Sequence, residues 1–138
     1  MRDTVAERAR ILVVDDDVGP RESLKMILKP RYEIATAASG EAALQKIASF
    51  RPDVVFMDIK MPSMDGVEAL RRIKDQDPAI EVVMITAYAS LETVKNALTH
   101  GAFEYLIKPF NREELEETVR RAVDRRLADM KNKGQVAR

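Results

Sequence analysis

The chain has 138 residues, the length of one ordinary domain, with no cysteine and a single histidine, His100. That excludes a disulfide framework, a thiolate zinc site and a cysteine nucleophile, and it argues against a histidine metal cage or a Ser-His-Asp triad. The 23 basic and 23 acidic residues cancel, and no apolar run approaches the ~18–20 residues that span a bilayer, so neither nucleic acid nor membrane is an expected partner.

The opening MRDTVAERAR lacks the apolar segment of a signal peptide, so a cytoplasmic location is expected, with residues 1–9 disordered. Ile11–Val14 is a short β-branched run that reads as a strand and ends in Asp15, Asp16 and Asp17. Pro20 suits the first turn of a helix on which Leu24, Ile27 and Leu28 share a face. Tyr32–Ala37 is the second strand, and Ser39 can cap a helix carrying Ala43, Leu44 and Ile47. Val54–Met57 ends in Asp58 and is followed by helical spacing at Val67, Leu70 and Ile73. Val82–Ile85 ends in Thr86 and Ala87. Ser90 then caps a helix with Leu91, Val94 and Leu98, and Gly101 supplies the left-handed residue after His100. At that helix end His100 is a favourable charge on the dipole and not a ligand, and Met57, Met61, Met64 and Met84 read as packing. Tyr105–Ile107 is the fifth strand and ends in Lys108 and Pro109.

Asn111 and Glu114 have capping-box spacing at the start of a last helix that runs from Glu113 to about Lys131. Leu115, Val119, Val123, Leu127 and Met130 form its stripe. About four turns would cover a sheet, so its end is expected to project, as a solvated tail or as a connector or dimer seam. The predicted organisation is a disordered segment 1–9, a domain 10–123, and a helical extension and tail 124–138. The repeated strand–helix pattern predicts an α/β fold, (βα)5, with a mostly parallel sheet covered by helices on both faces.

In an open parallel sheet, ligands bind beyond the carboxyl ends of the strands. Four of the five strand ends carry chemistry: Asp15–Asp17, Asp58, Thr86 and Lys108. Each alone has a bland explanation as a solvated loop or a turn. Together, carboxylates in one crevice repel one another unless a cation joins them, and carboxylate oxygens are what Mg²⁺ selects. An ammonium and a hydroxyl beside them complete a cradle for a phosphoryl group. No Walker loop or GxGxxG is present, so a nucleotide is not the obvious ligand.

ILVVDDD, VVFMDIKMPSMDG, MITAY and YLIKPF, in this order and at these separations, closely resemble the receiver domain of two-component response regulators, from about Arg10 to about Val123. The resemblance implies a flavodoxin-like, doubly wound five-stranded sheet in the order 2-1-3-4-5. It implies Asp58 as the phosphoacceptor, taking a phosphoryl group from a sensor histidine kinase. Asp16 would ligate Mg²⁺ directly, Asp15 through its outer shell, and Lys60 through its backbone carbonyl. Thr86 and Lys108 would meet the phosphoryl charge, with Lys108–Pro109 cis. Tyr105 would turn toward the space that Thr86 vacates, changing the surface of the fourth helix, fifth strand and fifth helix. Asp17 has no assigned role.

The resemblance further implies an output domain or downstream protein as partner, and allows a homodimer through that surface or through the last helix. The stretch MITAYASLETVKNAL resembles receivers attached to ATP-driven transcriptional activators, whose DNA binding and ATPase activity would lie in other segments. Bulky Tyr88 is expected to obstruct the attacking water and slow dephosphorylation. The rival readings are a small Mg²⁺-dependent phosphohydrolase and an inactive receiver kept as an interaction module. The second is opposed by the intact set Asp15, Asp16, Asp58, Thr86 and Lys108.

Overall fold

The computed structural model describes residues 8–61, 64–87 and 90–132. Strands β1 (Arg10–Val14), β2 (Glu33–Ala37), β3 (Val54–Asp58), β4 (Glu81–Thr86) and β5 (Glu104–Ile107) alternate with helices α1 (Val18–Leu28), α2 (Gly40–Phe50), α3 (Gly66–Gln76), α4 (Leu91–Thr99) and α5 (Arg112–Asn132). Every pairing is parallel and the order is β2-β1-β3-β4-β5, as the flavodoxin-like resemblance implies.

Two-sided burial explains why the central strands are apolar at consecutive positions. Ile11, Val13, Val54, Phe56, Val83 and Ile85 face Leu24 and Leu28 of α1 and Leu115, Val119 and Ala122 of α5. Their neighbours Leu12, Val14, Val55, Met57, Val82 and Met84 face α2, α3 and α4 through Ala43, Ile47, Leu70, Ile73 and Ala97. Each such aliphatic side chain withdrawn from water contributes about 1.5–3 kcal/mol before entropy is counted. Met61 and Met64 join the second layer, so all four methionines are packing residues.

Several strands are longer than the apolar pattern predicts, because their ends are polar. β3 includes Asp58, and β4 gains Glu81 at one end and Thr86 at the other. Ala9, assigned to the leading segment on sequence, is buried, and its carbonyl accepts from the Glu33 amide at 3.0 Å. The edge strands β2 and β5 each open on a glutamate held by an arginine: Glu33 by Arg10 at 3.4 Å, and Glu104 by Arg121 at 2.8 Å.

Helix starts follow the capping rules. Ser39 and Ser90 accept from the amides of Ala42 and Thr93, and Asn111 and Glu114 form the predicted reciprocal box. Asp65 caps α3 by accepting from Glu68. Gly101 takes a φ of 99° after the α4 cap His100, whose Nδ1 lies 2.8 Å from the Asn96 carbonyl oxygen. Arg51 closes α2 in the left-handed region at φ 55°, a place more often given to glycine.

The expectation that α5 projects is corrected by the structure. The helix runs along the sheet, and its distal turns cover the floor, the end at which β3 and β4 begin. Its buried stripe is Leu115, Val119, Ala122, Arg126 and Met130, with Val123 and Leu127 only partly covered. Arg126 fills a core position because Asp53, fully buried before β3, and Asp77, the cap of α3, lie 3.2 and 3.3 Å from its guanidinium. Asp53 also accepts from the Arg10 amide at 2.8 Å.

Candidate functional site

The sheet delivers its polar strand ends to one crown. β1 ends one residue before Asp15, which is 3% exposed and whose amide donates to Ala37, prolonging the ladder. β3 and β4 end on Asp58 and Thr86 themselves, and Thr86 is fully buried. The amide of Lys108, one residue past β5, donates to the Thr86 carbonyl at 2.8 Å, so Lys108 enters the site on a rigid ladder. The Lys108–Pro109 bond is cis.

Carboxylate oxygens of Asp15, Asp16 and Asp58 lie within 4.8 Å of one another. Lys108 Nζ stands 3.4 Å from Asp58 Oδ2 and 3.5 Å from Asp15 Oδ2. Three acids thus face one ammonium, and the surplus negative charge suits a divalent cation held by oxygens. Burial pushes the Asp15 carboxyl above its usual range and the Asp58 charge adds to this, while the Asp17 amide and the Lys108 ammonium pull the other way. Asp16 is exposed, leaving one side of the cluster open to solvent. Lys60 donates its amide to Asp58 Oδ1 at 3.0 Å, which fixes the rotamer of that carboxylate.

Tyr105 pairs with Met84 in the β4–β5 register and packs into the layer on the α4 side of the sheet. Two residues along β4 from Met84 stands Thr86, which the period of a strand places on that same face. The Tyr105 hydroxyl is buried with no hydrogen-bond partner among the described residues. Burial, and after it the Asp58 charge, pushes the phenol above its ordinary range.

Three contributors carried no assigned role in the sequence. Asp17 is the N-cap of α1, accepting from Gly19 at 3.2 Å while its own amide donates to Asp15 Oδ1 at 2.9 Å. Its place in the triplet, directly before a helix containing Pro20, was the available signal. Arg21 donates to the Asp15 main-chain carbonyl at 2.9 Å, holding the turn that carries the acids; nothing local marks it. Gly66 opens α3 with its amide 2.9 Å from the Ile59 carbonyl. A Cβ there would come 2.6 Å from the Asp58 carbonyl oxygen and 2.7 Å from Ile59 Cα, both main-chain atoms that cannot yield. Gly66→Ala should therefore displace the end of β3 and destabilise the fold by about 1–3 kcal/mol. A denaturant midpoint equal to that of the parent chain would show that no such crowding exists. Tyr88, expected to shield the site, lies outside the described residues.

A family model for the response regulator receiver domain matches residues 11–120. The regulatory protein AtoC of Escherichia coli is 44% identical over 115 residues, which is 83% of this chain and 25% of AtoC. Sporulation initiation phosphotransferase F of Bacillus subtilis is 38% identical over 113 residues, covering 81% of this chain and 91% of that protein. The crystal structure of a CheY-like receiver domain protein from Methanospirillum hungatei superposes with a TM-score of 0.85 at 36% identity, over 88% of this chain and 98% of that one. The chain thus spans a quarter of AtoC and nearly the whole length of the sporulation protein.

Proposed function

The chain belongs to the response regulator receiver domains, the phosphorylation-activated switches of two-component signalling, and we propose that Asp58 is the residue that takes the phosphoryl group. One observation carries this reading. Asp58 ends the central strand β3 itself, with the Lys108 ammonium 3.4 Å from one carboxylate oxygen and the Lys60 amide donating to the other. Receiver domains bind Mg²⁺ in an acidic pocket, and the donor set fits: Asp15, Asp16 and Asp58 would hold the ion, with the Lys60 carbonyl beside them. When bound, Mg²⁺ neutralises charge on the phosphoryl oxygens.

The chain's own residues do the rest. An Asp58 carboxylate oxygen attacks the phosphorus of a phosphohistidine on the partner kinase. The P–N bond breaks, its electron pair leaves with the imidazole, and an aspartyl phosphate remains. Lys108 and the Thr86 hydroxyl then pair with the added charge, about −1.5 to −2 for an ordinary phosphoresidue. Inward movement of Thr86 opens space on the face where Tyr105 packs. The Tyr105 hydroxyl, buried with no partner among the described residues, supports that role, since an unsatisfied buried hydroxyl costs about 1–3 kcal/mol and its ring position is therefore weakly held.

The readout surface is α4, β5 and α5, where Leu91 is 86% exposed and Leu98 and Ile107 are about half exposed. An output segment or a second copy of the chain would dock there, with DNA binding left to other segments. No helix among the described residues is long and apolar enough to cross a membrane. The cytoplasm as compartment rests on the family assignment. Family membership does not favour a phosphohydrolase or an inactive interaction module, and we read the chain as catalysing only its own phosphotransfer and dephosphorylation.

Incubation with Mg²⁺ and acetyl phosphate, followed by intact mass, should show one added phosphoryl group that requires Mg²⁺. Peptide mapping should place it on Asp58. An unmodified chain, or a phosphoryl group on another residue, overturns the assignment.

A further inference from the structure

The turn from β1 into α1 carries two of the three clustered acids, Asp15 and Asp16. Asp15 is held from several sides. Its amide donates to the Ala37 carbonyl of β2 at 3.1 Å, and its Oδ1 accepts from the Asp17 amide at 2.9 Å. A further hold comes from one turn into α1, where Arg21 Nη1 donates to the Asp15 main-chain carbonyl at 2.9 Å. Asp17 in turn caps α1, accepting from Gly19 at 3.2 Å. Asp16 thus stands, exposed, between two anchored residues.

The helix aims Arg21 at this turn. Leu24 and Leu28 are buried beneath α1, and Arg21 precedes them at i, i+3, i+7 spacing, so it continues their stripe at the crown end. A helical side chain leans toward the N-terminus of its own helix, which carries the guanidinium back over the acids. Asp15 is 3% exposed, so its carbonyl has little water to turn to, and a buried carbonyl needs a donor. Among the described residues the Arg21 guanidinium is the donor that meets it.

We propose that Arg21 is a positioning residue for the metal: it fixes the turn so that the Asp16 carboxylate stays beside those of Asp15 and Asp58, and its loss weakens Mg²⁺ binding although no ligand is removed. The inference rests on the reading of the acid cluster as a Mg²⁺ site and names a residue that site depends on. Geometry and charge predict opposite signs. A guanidinium near the cluster repels a divalent cation, so on charge alone its removal tightens binding. As an anchor, its removal frees the turn, and ordering Asp16 becomes a cost of binding. Partners that hold a metal ligand in place change metal affinity by about 10–100-fold, and one acting through the neighbouring main chain belongs at the lower end.

The test titrates Mg²⁺ alone, without phosphodonor, into the whole chain and reads affinity from calorimetry and from the amide NMR shifts of Asp15, Asp16 and Asp17. Arg21→Ala should raise the Kd for Mg²⁺ about tenfold. Arg21→Lys, which keeps the charge and a donor, should recover part of that loss. In the metal-free chain the Asp17 amide should exchange with solvent faster in Arg21→Ala while amides of β3 and β4 exchange as in the parent; a general loss of stability would speed all of them. An Arg21→Ala chain that binds Mg²⁺ as tightly as the parent, or more tightly, overturns the positioning role and leaves the metal site standing. A parent chain that binds no Mg²⁺ at these residues overturns both. Weakened Mg²⁺ binding in Arg21→Ala, beside an Asp58 that takes up no phosphoryl group, would support the positioning role and remove only the acceptor assignment.

Discussion

Asp58→Asn is expected to abolish phosphoryl uptake while leaving the Mg²⁺-free chain slightly more stable than the parent. The amide is neutral, has no anionic oxygen to attack phosphorus, and cannot form the acyl phosphate. Its volume is nearly unchanged, and its oxygen can still accept from the Lys60 amide, so the β3–α3 turn survives. The stability gain comes from the charge pattern. The substitution removes repulsion between Asp58 and two other carboxylates within 4.8 Å and gives up one attraction, to Lys108 at 3.4 Å. At an effective dielectric near 20 these terms are each of order several kcal/mol and largely offset, leaving a net gain of about 2 kcal/mol at most. Intact mass after acetyl phosphate treatment measures the first effect and urea unfolding in EDTA the second. A variant that still takes up one phosphoryl group would transfer the acceptor role to another residue. One that is less stable than the parent without metal would mean that the ammonium outweighs both repulsions.

Arg126→Ala should cost about 3–5 kcal/mol, a large share of what holds a domain of this size. The truncation removes the guanidinium 3.2 Å from the fully buried Asp53, which also accepts from the Arg10 amide at 2.8 Å. It also takes the guanidinium from Asp77 at the end of α3, so the damage reaches helix α3 and strands β1, β3 and β4 together. The double variant Arg126→Met with Asp53→Asn should recover much of the loss, because the methionine refills the space and the asparagine asks for no cation. Urea midpoints for the single and double variants decide the matter. A single variant within about 0.5 kcal/mol of the parent would show that the cluster is solvated and not structural.

The contrast between these two positions shows what a linear sequence discloses. The crown was legible because its groups sit at the ends of apolar runs: Asp15, Asp58, Thr86 and Lys108 each follow a strand that periodicity alone marks out. Their convergence then follows from the parallel topology, although the order of strands came from resemblance. The caps Ser39, Ser90 and Asn111 were legible for a local reason, since their partners lie three residues away. The floor was not. Arg126 meets Asp53 and Asp77 across 73 and 49 residues, and a charged residue on a helix reads as solvent-facing until its partners are known. Apolar spacing puts Leu127 on the stripe instead, yet Leu127 is only partly covered while Arg126 is buried. Arg21 and Gly66 escaped notice because each acts on main-chain atoms, which carry no residue identity.

The outer rows of the sheet bear on how copies of this chain meet. β2 and β5 are only five and four residues long, and each begins with an acid pinned by an arginine, Glu33 by Arg10 and Glu104 by Arg121. A foreign strand aligning along either margin would have little unpaired backbone to grip and an ion pair in its path. Stacking of molecules through continuous β-sheet, the usual route to aggregates, is therefore blocked at both flanks, and crowded solutions of this protein should remain clear of fibrils as long as those arginines are in place.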